Sequence, residues 1–225
     1  MKILAVDTAL GACSVAVLDG DSVRARALEV MERGHAEALA PMVQETMRAA
    51  ELEFGELQRL AVTTGPGTFT GQRVGLAFMR GLRLALKLPL IGITTLDAMA
   101  AAALAETDAD VAAALHDAKR GEVYFGMRSR GNTIREPVLL LFENAIEAIM
   151  HATAGRSETV AFAGTAGAAA CDRCRSLGRE GELTSAVQPD AVWVARLAVK
   201  AGPPNGAPRP LYLRPPDAKL PALRA

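Results

Sequence analysis

The feature that most constrains the fold of this 225-residue chain is an order of hydrophobic patterns that occurs twice along it. Residues 3–7, 13–18 and 22–29 are apolar or alternating runs, parted by Gly11 and by Asp19-Gly20-Asp21. A period of two puts every second side chain on one buried face, and Asp-Gly is a hairpin signal, so these runs predict an antiparallel meander of three strands. Residues 33–51 then place Leu39, Met42, Val43 and Met47 at helical spacing, with Glu37, Gln44, Arg48 and Glu51 on another side. That spacing predicts an amphipathic helix, bent or broken at Pro41. A short strand at 60–64, a long helix ending at Lys87 before Pro89, a strand at 90–94 and an Ala-rich helix at 96–104 complete the block.

The second block begins near Ala109. Strand patterns at 111–115, 122–128 and 133–141 precede a helix at 143–151, a strand at 160–163 and helices at 165–173 and 190–201. The β-β-β-α-β-α order thus recurs, predicting a duplicated α/β architecture with a mixed sheet in each of two lobes, 1–105 and 106–225. This is the layout of the actin, Hsp70 and sugar-kinase group, the ASKHA fold. The Pro-rich tail from Gly202 to Ala225 is expected to be ordered only around Leu211-Tyr212-Leu213-Arg214.

Half of the residues are apolar, enough for a real core. Lys plus Arg and Asp plus Glu balance at 25 each, so no net field draws the chain to nucleic acid or to an anionic membrane. Asp7 interrupts the first apolar run too early for a secretory leader, and no stretch reaches the roughly 20 apolar residues a membrane span needs. Three cysteines are an odd count, suited to a reducing compartment. A cytoplasmic location follows as the expectation. Cys171 and Cys174 have redox or half-zinc spacing without a second pair, which leaves them as two thiols on a helical surface.

Asp7 and Thr8 end the first strand. A carboxylate there suits either a cleft role, holding a metal ion or an activated water, or a turn-stabilising acceptor. The loop Gly65-Pro66-Gly67-Thr68-Phe69-Thr70-Gly71 joins a strand to a helix, where free backbone N–H groups can cradle an anion. Gln72-Arg73 follows it instead of the Lys-Ser or Lys-Thr of a P-loop; the competing role is a tight turn with Thr70 capping the helix. The second block opens on His116-Asp117-Ala118-Lys119-Arg120-Gly121, with no matching phosphate turn. Residues 74–86 are apolar round most of the helix, which predicts burial on more than one side, by the chain's own elements or by a partner. Gly71, Gly75 and Gly81 would let another helix come close. Arg73, Arg80, Arg83 and Lys87 share one arc of that helix, open to RNA phosphate, an acidic partner or solvent. His35 lacks a second histidine at ligand spacing, and no Gly-x-Ser-x-Gly elbow is present.

Ile3-Leu4-Ala5-Val6-Asp7-Thr8, Arg33-Gly34-His35-Ala36-Glu37, the loop from Gly65 into Gln72-Arg73-Val74-Gly75-Leu76, Asp117-Ala118-Lys119-Arg120-Gly121-Glu122-Val123-Tyr124 and Tyr212-Leu213-Arg214, in this order, resemble the TsaB, or YeaZ, family. Ala36 stands where that family often has Ser, and Lys119-Arg120 where Arg and an apolar residue are common. The resemblance implies a non-catalytic subunit of tRNA threonylcarbamoyladenosine biosynthesis. Such a subunit pairs with a catalytic TsaD-like protein, is joined by a TsaE-like ATPase, meets tRNA through the complex, and homodimerises when alone. It further implies that ATP or ADP and Mg are handled at the level of the complex. The interface would comprise His35, Leu39, Met42, Val43, Gly71, Gly75, Phe78, Met79 and Leu82; Asp7, Thr8 and Lys119 would face a nucleotide cleft. The alternatives are a nucleotide-dependent ATPase or kinase acting through Asp7, and a glycoprotease-like hydrolase.

Overall fold

The computed structural model describes residues 1–155, 159–204 and 206–214. Strands β1 (Lys2–Asp7), β2 (Ala12–Asp19) and β3 (Ser22–Val30) form the meander, followed by α1 (His35–Ala49), β4 (Arg59–Thr63), α2 (Phe69–Leu86), β5 (Leu90–Ile93) and α3 (Thr95–Glu106). The second half repeats the order with β6 (Val111–Asp117), β7 (Glu122–Ser129), β8 (Thr133–Leu141), α4 (Phe142–Ala152), β9 (Val160–Ala163), α5 (Gly167–Ser176), β10 (Gly181–Leu183) and α6 (Ala191–Lys200). The sheets run β3-β2-β1-β4-β5 and β10-β9-β6-β7-β8, each an antiparallel meander joined to two parallel strands. The sequence reading lacked β10. That strand has only three residues and one buried position, too few for a period of two to register.

Five layers result. Helices α1 and α2 cover one face of the first sheet through Leu4, Val6, Val15, Val17, Leu39, Val43, Leu76 and Met79. Helices α4 and α5 cover the far face of the second through Phe125, Ile146, Ile149, Phe162 and Cys171. The halves exchange their last helices: α6 packs on β1, β2, β4 and β5, whereas α3 packs on β6, β7 and β9. Alanines on the facing strands, Ala5, Ala16 and Ala61 on one side and Ala112, Ala114, Ala161 and Ala163 on the other, leave room for these two helices to seat closely. Cys171 and Cys174, expected on a helical surface, are instead buried in the second core, because with Gly167 and Ala170 they form the inward stripe of α5. Burial holds both thiols in their neutral form, pushing Cys174 up to about 11.

The tail lies along the first half. The Leu211 amide donates to the Thr64 carbonyl at 2.7 Å, and Pro208 sits beside Gly92 on β5. Residues 215–225 of the expected tail lie outside the described residues.

Candidate functional site

The end of β1 meets the start of α2, and glycine makes the meeting possible. A Cβ on Gly67 would lie 2.2 Å from the Ala9 carbonyl oxygen, and one on Gly71 would lie 2.2 Å from that of Thr8. Thr8 inserts its hydroxyl into the helix ladder, donating to the Gly71 carbonyl at 2.7 Å and accepting from the Gly75 amide at 3.0 Å. Three amides are spent on the chain itself: Thr68 N–H donates to the Ala9 carbonyl, Gly71 N–H to the Thr68 hydroxyl and Gln72 N–H to the Thr68 carbonyl. The cap is Thr68, two residues earlier than Thr70, because the helix begins at Phe69.

Asp7 faces the α6 side of the first sheet and is 0% exposed. Thr63 Oγ1 donates to its Oδ1 at 2.5 Å and the Ala9 amide donates to the same oxygen at 3.2 Å. Oδ2 is buried without a partner among the described residues. Burial pushes this carboxyl up to about 7 despite both hydrogen bonds, which favour the charged form, and the nearby Asp190 carboxylate adds to the rise. The Lys119 side chain is 82% exposed and held by Asp117 at 2.9 Å, in a turn where Lys119 and Arg120 both adopt positive φ. Neighbouring His116 is mostly enclosed, and burial pushes its imidazole down to about 4. Asp7 is enclosed, and burial disfavours its charged form, the form in which a carboxylate holds Mg2+. Among the described residues no group of three or more His, Cys, Asp or Glu is arranged to hold a metal ion.

Of the expected interface residues, Leu39, Val43 and Met79 are fully inside the first core, and Gly71 and Gly75 face Thr8. His35 starts α1 and is buried, its Nε2 3.0 Å from the Leu10 carbonyl. Met42, Phe78 and Leu82 are half-buried at the edge of that core. The outward face of α2 carries Ala77, Gly81, Leu84 and Ala85, with Leu84 72% exposed, and Ala40 and Pro41 are exposed on α1. The basic arc is partly consumed. Arg73 Nε donates to the Tyr212 hydroxyl at 2.8 Å with its guanidinium over Phe69, and Arg80 donates to the Pro208 carbonyl. Phe69 and Tyr212 stack at 5.6 Å. Neither this cluster nor Thr63 emerged from the sequence as a functional group. Thr63 had one signal, a polar residue ending a buried strand parallel to the one that ends in Asp7.

A model described as TsaD, tRNA N6-adenosine threonylcarbamoyltransferase, matches residues 29–180. The chain is 40% identical over 130 residues to the tRNA threonylcarbamoyladenosine biosynthesis protein TsaB of Escherichia coli and 39% identical over 126 residues to that of Haemophilus influenzae. These matches cover 58% and 56% of the chain and 56% and 52% of the relatives, little more than half their length. The solved structure of YeaZ from Pseudomonas aeruginosa superposes with a TM-score of 0.79 at 28% identity, covering 94% of this chain and 99% of that one. Component A of the (R)-2-hydroxyglutaryl-CoA dehydratase of Acidaminococcus fermentans superposes with a TM-score of 0.53 at 9% identity, covering 88% and 99%, a likeness of fold alone. The two mixed sheets with their exchanged helices are the actin-like ASKHA fold.

Proposed function

The chain belongs to the family described by the TsaD model, in its TsaB (YeaZ) branch, and on that premise we propose that it is a non-catalytic subunit of tRNA threonylcarbamoyladenosine biosynthesis that pairs with a TsaD-type threonylcarbamoyltransferase. The observation that carries this reading is the outer face of α1 and α2. Met42, Phe78 and Leu82 are half-buried at the edge of the core beneath it, and Ala77, Gly81, Leu84 and Ala85 are exposed apolar positions of α2. A helix pair of the partner would remove this strip from water, which is the main force in such associations. The same strip would join two copies of this chain when the partner is absent. A TsaE-type ATPase then acts at the level of the complex, in the cytoplasm, with nucleotide and Mg2+ bound there and tRNA met through the assembly.

The test is a reconstituted threonylcarbamoyl transfer to tRNA, with this chain present or omitted, alongside Leu84→Glu and Ala77→Arg. Both substitutions sit on exposed positions and leave the core intact. Activity that needs the chain and is lost in the two variants, together with their pairing in sedimentation, is the expected result. Full activity without the chain would remove the proposal.

A further inference from the structure

The first sheet has a second end, and a cationic cavity lies there. In the register of β1 with β2, Asp7 pairs with Ser14 at one end and Lys2 with Asp19 at the other, so the β2–β3 turn at Gly20 and Asp21 is remote from Asp7. Helix α6 starts beside Ser14, whose hydroxyl accepts from the Ala191 amide, and ends over β4, where Arg59 donates to the Ala198 and Ala201 carbonyls. Between its last turns and α3 opens a cavity of about 460 Å3, lined by Trp193, Arg196 and Lys200 of α6, Arg128 and Arg130 at the end of β7, and Asp21.

The charges there do not cancel. Arg128 is engaged by Asp97 at 3.0 Å. Arg130 donates to the Thr107 carbonyl at the end of α3, a neutral acceptor. The Arg196 guanidinium carbon lies over the Trp193 ring, 4.6 Å from its centroid. Among the described residues Arg130, Arg196 and Lys200 form no ion pair, and Asp21 is the one acid lining the cavity. In a chain of zero formal net charge, this is a local concentration of positive field inside a concave wall, where field lines focus. Guanidinium forks match phosphate oxygens, a lysine adds a mobile point charge, and an arginine plane held on an indole is a platform on which a base can stack. The volume falls within the range of small-ligand sites, about 300–1,000 Å3.

We propose that this cavity recognises a nucleoside phosphate unit, either a free nucleotide or an unpaired nucleotide of an RNA strand. The inference goes beyond the pairing proposal and is independent of it, because α6 lies on the opposite face of the first sheet from α1 and α2. Trp193 is the single tryptophan, so its fluorescence reports on the site directly. Titrations with AMP, inorganic phosphate and a short oligoadenylate should show saturable quenching by AMP if the source is a free nucleotide, or by the oligoadenylate alone if it is RNA. In either arm an R196E/K200E double variant should weaken binding by about tenfold or more, and each lost cation should reduce the salt slope by about 1. Arg130→Ala, remote from α6 in sequence and exposed, should weaken it as well, which separates loss of the site from disturbance of the helix. No response to any phosphate-bearing probe, or binding that both variants leave unchanged, would overturn the proposal; inorganic phosphate binding as tightly as AMP would overturn its nucleoside part.

Discussion

Asp7 keeps a carboxyl out of water with two hydrogen bonds on one oxygen and none on the other. Its folded pKa of about 7 lies above the ordinary 3.8. The unfolded chain therefore loses this proton first as pH rises, and the native state loses stability between about pH 4 and pH 7, remaining at the lower value above that. Asp7→Asn removes the titration. The unfolding free energy of the variant relative to the native chain should rise by on the order of 3 kcal/mol from pH 4 to pH 8 in urea melts. A difference that stays flat with pH would mean that Asp7 ionises in the fold as it does in water. Asp7 was legible in sequence as a carboxylate ending a buried strand, with its two possible roles left open. Its enclosure was not, because the closing partner Thr63 is 56 residues away and no local pattern couples the two.

Single helices show where local pattern carries and where it stops. The glycines of α2 looked equivalent as sites of close approach, yet Gly71 is wedged against Thr8 and Gly81 has open space around it. Gly71→Ala should cost about 3 kcal/mol, since the neighbour is backbone that cannot step aside. Gly81→Ala should add about 0.5–1 kcal/mol, the ordinary helix preference for alanine. Chemical denaturation of both at one protein concentration checks the pair, and equal effects would refute the assignment of roles. The apolar circumference of α2 predicted burial on more than one side, by the chain's own elements or by a partner; within the chain Gly71, Gln72, Gly75, Leu76 and Met79 are buried, while Ala77, Leu84 and Ala85 face outward. The helix enclosed on most sides is the Ala-rich α3, where Leu96, Ala98, Met99, Ala100, Ala102, Ala103 and Leu104 are all buried. Composition tells how apolar a helix is; it does not tell how many neighbours tertiary packing will give it. The strands, by contrast, were legible wherever alternation or a hairpin turn ran over five or more residues.

At the scale of the molecule, the duplicated order predicted two sheets, and two sheets formed. The exchange of α3 and α6 was hidden, because an apolar stripe states that a helix must be covered but not by which sheet. Two ties hold the exchange and the tail in place. Arg59 takes the last carbonyls of α6 onto β4, and Arg214 bonds Glu122 at 2.5 Å, joining the tail to β7. Arg59→Ala should destabilise the whole chain by about 1–3 kcal/mol, because it strips partners from part-buried carbonyls, while a single unfolding transition is retained. Two separated transitions in calorimetry, one for each half, would contradict that coupling.

The exchanged helices also set a timetable for synthesis. When residue 106 leaves the ribosome, the inner face of the first sheet, with Ile3, Ala5, Ala61 and Ile91, still lacks the helix that will cover it, and α3 still lacks its sheet. Helix α3 gains its sheet once β6, β7 and β9 follow, but the first sheet waits for α6, the last helix of the chain's described order. The nascent first half therefore carries an uncovered apolar face during the interval. Two polypeptides divided between α3 and β6 should each remain insoluble or unfolded alone and recover the native fold only when made together.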